Sequence, residues 1–389
     1  MRGGRARRMA GRVSADGDSF EVDGNRLTLL TEPDQRWYAL IALIDGAQRS
    51  LRLLYYIFAD DRSGQAVRAA LLAARARGVS VHLIVDGFGA EVDAAFLEPL
   101  TEAGAEVCRF LPRLGRRFLL RNHQKLALAD ETRMLIGGFN VEDSYFSGDD
   151  GWRDLGLIIE GPAAARLVGY FDALAAWTQT PRARLRALRR TLGRWSEADG
   201  AVRWLMGGPT RRLSPWARAV RHDLRHARDV DVIAAYFAPS PAMLRALDRV
   251  GQRGRAVVIT AGHSDNSTTV AAARFTYPGL LRKGVRVFEY QPTKLHTKLF
   301  VIDEAVHLGS ANFDTRSLFL NMELMLRIEH PALVARMRAY VAGEMAQSVE
   351  IRLKDVTGWG NGLARMRHAV AYFLVSVVDY TVARRLNIR

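Results

Sequence analysis

The chain has a single cysteine, Cys108, with no Cys/His cluster beside it, which excludes an internal disulfide framework and a thiolate zinc site. A reducing compartment is the simplest context for such a chain. No stretch approaches the roughly 18 to 20 apolar residues that a spanning helix needs, so any membrane contact is expected to be peripheral. The start, Met-Arg-Gly-Gly-Arg-Ala-Arg-Arg-Met-Ala, is basic, but no hydrophobic segment follows, and it does not read as a secretory signal. Acidic residues are in deficit, 41 against 56 basic ones, for a formal charge of +15. Most of the excess is arginine, whose planar fork of donors matches phosphate oxygens and implies a polyanionic partner, anionic lipid or nucleic acid. A genome that prefers arginine over lysine gives the same composition, so charge alone names no substrate. A platform of aromatics interleaved with basic residues, as single-strand binders use, is not found, which favours lipid over nucleic acid.

What is present is enough apolar material, 49% of 389 residues, for two cores. Residues 51–58 read as a buried strand, 64–77 as an Ala/Leu-rich helix and 79–86 as a second strand after Gly78. Residues 229–237, 241–252 and 255–260 repeat that β-α-β order. The expectation is an α/β fold of two duplicated halves, each a mixed, mostly parallel sheet flanked by helices. The segments expected are a basic start at 1–24, a first half at 25–180, a basic amphipathic linker at 181–210, a second half at 211–350 and a helical C-terminal segment at 351–389.

Each half carries the same chemistry. The first has Asn122-His123-Gln124-Lys125, then Asp130, then Gly137-Gly138-Phe139-Asn140; the second has Leu295-His296-Thr297-Lys298, then Asp303, then Gly309-Ser310-Ala311-Asn312. They are read as copies of one pattern, in one register: His-x-Lys-x4-Asp, a short hydrophobic run, and a glycine turn ending in Asn. In a strand, side chains two apart share a face, so His and Lys point together while the residue between them points away. The Asn amide after the turn adds a further donor. Two such sets around one phosphate supply the positive character that a phosphoryl transition state needs, with the lysines in place of a metal and no cofactor called for. One histidine then attacks phosphorus and the other moves the proton. A lone His-x-Lys is an ordinary strand pair; two copies with the same surroundings are not.

These residues resemble the phospholipase D superfamily, and especially the bacterial cardiolipin synthases, over about residues 25 to 350. The resemblance extends to Gly24-Asn25-Arg26, Tyr56-x-Phe58, Arg77-Gly78-Val79, Leu-Gly-Arg-Arg at 114–117, Trp152-Arg153-Asp154, Gly284-Val285, Asn312-Phe313-Asp314-x-Arg316-Ser317 and Asn321-x-Glu323. It implies His123, Lys125, Asn140, His296, Lys298 and Asn312 as catalytic, with a pseudo-twofold active site built from both halves. Asp154 and Glu323 fall where the family's histidine-orienting carboxylates lie, beside Ser310, while Asp130 and Asp303 look structural. His123 is implied as nucleophile and His296 as acid/base, although the near-symmetry of the motifs does not break that tie. Gly138 departs from the serine seen at Ser310, and Glu131-Thr132 from the acidic-glycine turn common after the first motif.

Substrate is left to the flanks. In 181–195, Leu185, Leu188, Leu192 and Trp195 recur at helical spacing among six arginines, a basic amphipathic helix suited to an anionic membrane or to packing between domains. The stretch from Met366 to Leu386, apolar over Ala371–Val378, suits the interface or a cover over the second core. The resemblance implies a phosphatidyltransferase peripheral to the bacterial cytoplasmic membrane on its cytoplasmic face, acting on an anionic phospholipid. The alternatives are a phospholipase D hydrolase, a nuclease of the same superfamily, or a degenerate module that senses anionic lipid. Oligomeric state is not legible.

Overall fold

The computed structural model describes residues 18–90, 92–111, 120–148, 150–210, 212–357 and 362–378; the basic start, the loop at 114–117 and the chain from 379 onward lie outside the described residues. The chain divides into two compact units, Met1–Val202 and Arg203–Arg389.

The first unit holds one eight-stranded sheet of β1 (Ser19–Val22), β2 (Asn25–Leu30), β3 (Ser50–Tyr55), β4 (Ser80–Asp86), β5 (Glu106–Phe110), β6 (Leu126–Ala129), β7 (Arg133–Gly137) and β8 (Gly156–Glu160), in the order β1-β2-β8-β7-β6-β3-β4-β5. Strands β3, β4 and β5 run parallel, and the remaining pairs are antiparallel. In the inner parallel strands β3 and β4 the residues Leu51, Leu53, Leu54, Val81, Leu83, Ile84 and Val85 are buried, as expected where both sheet faces are covered. Helix α1 (Pro33–Gly46) follows β2, and α2 (Arg62–Ala76) makes the β3–β4 crossover. Asp61 starts α2 by accepting the Gly64 N–H at 2.8 Å. Gly78, at φ +88°, turns the chain into β4.

The second unit repeats this plan with β9 (Val202–Gly207), β10 (Asp229–Ala234), β11 (Arg255–Ala261), β12 (Arg286–Tyr290), β13 (Lys298–Ile302), β14 (Ala305–Gly309), β15 (Glu323–Glu329) and β16 (Ser348–Ile351), in the order β9-β15-β14-β13-β10-β11-β12-β16. Position for position, β9 takes the place of β2, β13 that of β6, β14 that of β7 and β15 that of β8. The segment 202–207, which the sequence placed in a linker, is therefore the entry strand of the second half. Its core residues Trp204, Leu205 and Met206 are buried.

Two expectations shift in detail. The strands read as 51–58 and 229–237 both stop early, at Tyr55 and Ala234, and resume as short pairings at Phe58 and at Phe237–Ala238. Each break has the same cause. The Asn140 side-chain oxygen accepts the Ile57 N–H at 3.0 Å, and the Asn312 oxygen accepts the Tyr236 N–H at 3.3 Å, so a motif side chain replaces the ladder partner. The motifs are also not in one register throughout. Asp130, Glu131 and Thr132 turn β6 into β7, where Asp303 and Glu304 alone turn β13 into β14, one residue fewer. Asp130, Glu131 and Asp303 take left-handed φ of 50°, 67° and 47° to close these turns.

The amphipathic segment at 181–195 folds as α4 (Leu185–Trp195), and its stripe is used inside the unit. Leu188 and Leu192 are buried, and Trp195 lies against Gly169 of the preceding helix α3 (Pro162–Gln179), where an added Cβ would stand 2.3 Å from the indole. That apolar face is not available to a membrane. The segment after 351 is helical where described, as α5 (Gly362–Tyr372) continued by π-helical turns over Phe373–Val378.

Candidate active site

Each unit holds one His-x-Lys set at the head of an equivalent strand. Lys125 lies just before β6 and Lys298 opens β13, so both histidines sit in the extended chain leading into a strand rather than within it. Both lysines are almost completely buried, at 2% exposure. Lys125 Nζ donates to the His123 carbonyl at 2.6 Å, and Lys298 Nζ donates in the same way to the His296 carbonyl. A buried ammonium needs such acceptors to offset its lost hydration.

The surroundings of the two histidines then diverge. His123 is half-buried and its ring meets the edge of Tyr56, centroids 5.0 Å apart at 64°, while Lys125 Nζ lies 5.2 Å from the same tyrosine ring. Its neighbours in the chain are both tied down. Asp86, at the end of β4, accepts the Asn122 N–H at 2.7 Å with one oxygen and the Phe88 and Gly89 N–H groups at 2.9 Å with the other. Burial raises the Asp86 carboxyl above its ordinary value against the pull of those bonds. On the other side Gln124 is buried, and its amide hydrogen-bonds the Tyr170 hydroxyl at 2.6 Å. His296 is 5% exposed, and Lys298 Nζ stands 2.8 Å from its Nδ1.

The carboxylates also differ. Asp154 stands two residues before Gly156, which pairs with Gly137, and Glu323 two before Met325, which pairs with Gly309, so the two are equivalent in register. Glu323 is fully buried and accepts the Ser310 hydroxyl at 2.5 Å, while Ser310 Oγ accepts the Leu324 N–H at 3.0 Å. In the first half the serine is Gly138, and a Cβ there would stand 2.7 Å from both Asp154 carboxylate oxygens. The shorter acid sits against bare backbone, and the longer one is held by a hydroxyl. Asp154 Oδ1 accepts its own next N–H, from Leu155, at 2.8 Å.

Asp154 owes its position to a residue with no motif around it. Arg36, fully buried on α1, donates to the carbonyls of Asp154 at 2.6 Å, Tyr145 at 3.1 Å and Trp152 at 3.4 Å. Asn140 donates to the Tyr145 hydroxyl at 2.9 Å, so both ends of its amide are engaged within its own half. Asp130 and Asp303 sit beyond the far ends of β6 and β13. Asp130 accepts the N–H groups of Gln48, Arg49 and Ser50, and Asp303 those of Arg228 and Asp229 at 2.9 Å. For Asp130, the backbone donors outweigh the effect of burial and lower its pKa. Both are turn-closing groups.

Of these, Arg36, Asp86 and Tyr170 had no sequence signal beyond an acid at a strand end and a polar residue on an apolar helix. The second unit holds another such group. His307 Nε2 and Arg327 Nε both lie 2.8 Å from Asp223 Oδ2, joining β14 and β15 to the helix Pro215–His226.

The half-sites belong to a known class. The family model described as "Cardiolipin synthase, PLD-like domain" matches residues 40–175 and 220–344. The chain is a member of this phospholipase D-like cardiolipin synthase family. It is 30% identical to the "Cardiolipin synthase B" of Salmonella typhi over 87% of this chain and 85% of that protein. It is also 30% identical to the "Cardiolipin synthase" of Geobacillus thermodenitrificans (strain NG80-2) over 77% of this chain, spanning 62% of that relative's length. Among solved structures, the phosphatidylserine synthase of Haemophilus influenzae Rd KW20 shares the fold at a TM-score of 0.73 and 12% identity, covering 98% of this chain and 99% of that one.

Proposed function

We propose that the chain is a phosphatidyltransferase of the cardiolipin synthase type, which moves a phosphatidyl group from phosphatidylglycerol, or another phospholipid, to an alcohol acceptor through a phosphohistidine. The observation that carries this reading is the pair of buried His-Lys sets, each lysine donating to the carbonyl of its own histidine at the head of an equivalent strand. An ammonium on Nδ1 selects the neutral tautomer of His296 with its proton on Nε2. That state donates and does not attack, which favours His296 as acid/base and leaves His123 as nucleophile.

In this scheme His123 attacks phosphorus, and the P–N bond forms as the P–O bond to the departing alcohol breaks. His296 gives its Nε2 proton to the departing oxygen while Nδ1 takes one from Lys298. The acceptor hydroxyl then loses its proton to Nε2, Nδ1 returns its proton to Lys298, and the P–N bond breaks as the new P–O bond forms. Lys125 and Lys298 stabilise the phosphoryl group, joined by the second amide N–H of Asn140 and by the amide of Asn312, and Asp154 and Glu323 orient the histidines. Attachment is peripheral, on the cytoplasmic face of the cytoplasmic membrane; among the described residues no helix is long and apolar enough to cross a bilayer.

The test is purified protein, without added metal, given phosphatidylglycerol vesicles and, separately, single-stranded DNA, with products identified by mass spectrometry. Cardiolipin and glycerol are expected. Phosphatidic acid alone makes the chain a hydrolase, and shortened DNA with untouched lipid makes it a nuclease.

A further inference from the structure

The second unit contains a cavity of about 1010 Å³ that none of the His-x-Lys residues line. It lies between the helix Ser267–Arg282, here α6, and α5, with β16 and the short helix Leu353–Thr357 closing it. Its size is at the upper end of ligand sites, roughly 300–1,000 Å³. Leu244, Phe275, Ile351, Val356 and Met366 give it a hydrocarbon wall. The acid in that wall is already matched, since Glu289 takes two 2.8 Å bonds from Arg274 and one of 3.0 Å from the Tyr277 hydroxyl. Asp355, also on the wall, accepts the Arg352 N–H at 2.9 Å. Arg282, by contrast, is an exposed lining cation with no hydrogen bond or ion pair among the described residues.

The apolar lining continues onto the surface. Phe275 is 43% and Met366 62% exposed, and Val370, Phe373 and Leu374 follow Met366 at helical spacing with 54%, 52% and 50% exposure. The opposite side of the same helix packs on the unit, through Ala371 and Tyr372 against Ala238 and Ala272, with the Tyr372 hydroxyl donating to the Pro239 carbonyl at 2.9 Å. A contiguous exposed apolar patch leading into a hydrocarbon-lined cavity, with a free cation beside it, has the chemistry of a lipid site.

We infer that this cavity takes one acyl chain of a bilayer phospholipid, admitted past Phe275 and Met366, with Arg282 meeting the phosphate. The inference rests on the phospholipid reading of function and adds a second lipid site apart from the motifs. Occupancy would dock the second unit on the membrane by a held lipid rather than by charge alone.

Phosphatidylglycerol carrying a diazirine in its acyl chain, presented in vesicles to the full chain and irradiated, is the test, with adducts mapped by mass spectrometry. Adducts within Phe275–Arg282 and Met366–Leu374 are expected in the wild type and in His296→Ala. Gly279 lines the cavity and a Cβ there meets nothing within 4 Å, so Gly279→Trp fills the space and should abolish those adducts with the melting temperature retained. Should Gly279→Trp fail to fold, Met366→Glu, at an exposed position, should abolish them by placing a carboxylate at the entrance. Adducts that persist in the folded variant, that lie only in the peptides holding His123 and His296, or that form only with a diazirine fatty acid overturn the inference. Product from the same vesicles without cavity adducts defeats the cavity alone; cavity adducts without product defeat the functional reading and leave the cavity standing.

Discussion

His123 and His296 stand at the heads of equivalent strands, but they are held in different ways. In the first unit, polar groups reach the chain on both sides of the histidine: Asp86 takes the Asn122 N–H, Tyr170 takes Gln124, and Arg36 fixes the Asp154 segment through its carbonyls. In the second, Leu295 and Thr297 flank the histidine, Ala261 ends the strand equivalent to β4, and the contacts fall on charged groups: Lys298 on the ring and Ser310 on Glu323. The chain on both sides of the first histidine is held from elsewhere in its unit, and the second histidine has Lys298 Nζ at its ring Nδ1. Under the proposed mechanism a nucleophile has to be aimed, whereas a proton carrier has to hold one tautomer, and these contacts suit those two demands.

Removing the histidines breaks the comparison most severely. His123→Ala should leave no acid-labile phosphoprotein when reaction mixtures are quenched and separated. His296→Ala should still show an adduct, with turnover reduced about 10²–10⁴-fold, the usual worth of a general acid–base group. An adduct in the first variant and none in the second reverses the roles.

Arg36→Met should cost about 3 kcal/mol or more in chemical denaturation, because four buried carbonyls, those of Thr31, Tyr145, Trp152 and Asp154, lose a charged donor. Arg36 and its four acceptors all lie in the first unit, so the loss should appear as destabilisation of that unit. Exchanging the residues behind the carboxylates is milder. Ser310→Ala should cost about 1.5–3 kcal/mol through Glu323, the worth of a bond to a charged group. Gly138→Ser should cost roughly 1–3 kcal/mol for the opposite reason, crowding Asp154. If either half accepts the other's residue without loss, the divergence described here is incidental.

The smallest effect is on pH. Burial alone would raise the Asp223 carboxyl, but His307 and Arg327 outweigh it and hold it well below its ordinary 3.8. Burial lowers His307 below its ordinary 6.5 despite Asp223, so the ring is neutral in the fold. Both folded values lie below the unfolded ones, so the unfolded chain binds more protons in acid. The His307 contribution is present above pH 6.5 and declines below it; the Asp223 contribution is present above 3.8 and declines below that. Thermal melts from pH 7 downward should therefore show a shallower acid decline in His307→Gln than in the wild type, and an unchanged slope would remove His307 from the account.

The two His-x-Lys motifs were legible because the pattern is local. A histidine and a lysine two residues apart on extended chain share a face, and two copies of that pattern stand out in any single sequence. The β-α-β repeat was legible for the same reason, as mostly apolar strand segments, each second one opened by Gly78 or Gly254 after a helix. The strand 202–207 was not, since Val-Arg-Trp-Leu-Met-Gly is short and follows a charged stretch, and only pairing with β15 makes it a strand. The stripe of α4 was visible, but its partner on α3 was not: periodicity shows that a face is apolar without showing what covers it.

The sequence by itself determined the duplication, the two His-x-Lys motifs and the turn positions of Asp130 and Asp303, because each depends on the identities and spacing of near neighbours. The tertiary structure decided how the chain around each histidine is held, that Asn140 and Asn312 latch a broken strand, and that Gly138 and Ser310 answer to carboxylates on the next strand but one from the histidine. Apart from the Lys298–His296 contact, they join residues from 13 to 118 positions apart, where no local propensity reaches and only the packing of a sheet against its helices brings them within a hydrogen bond.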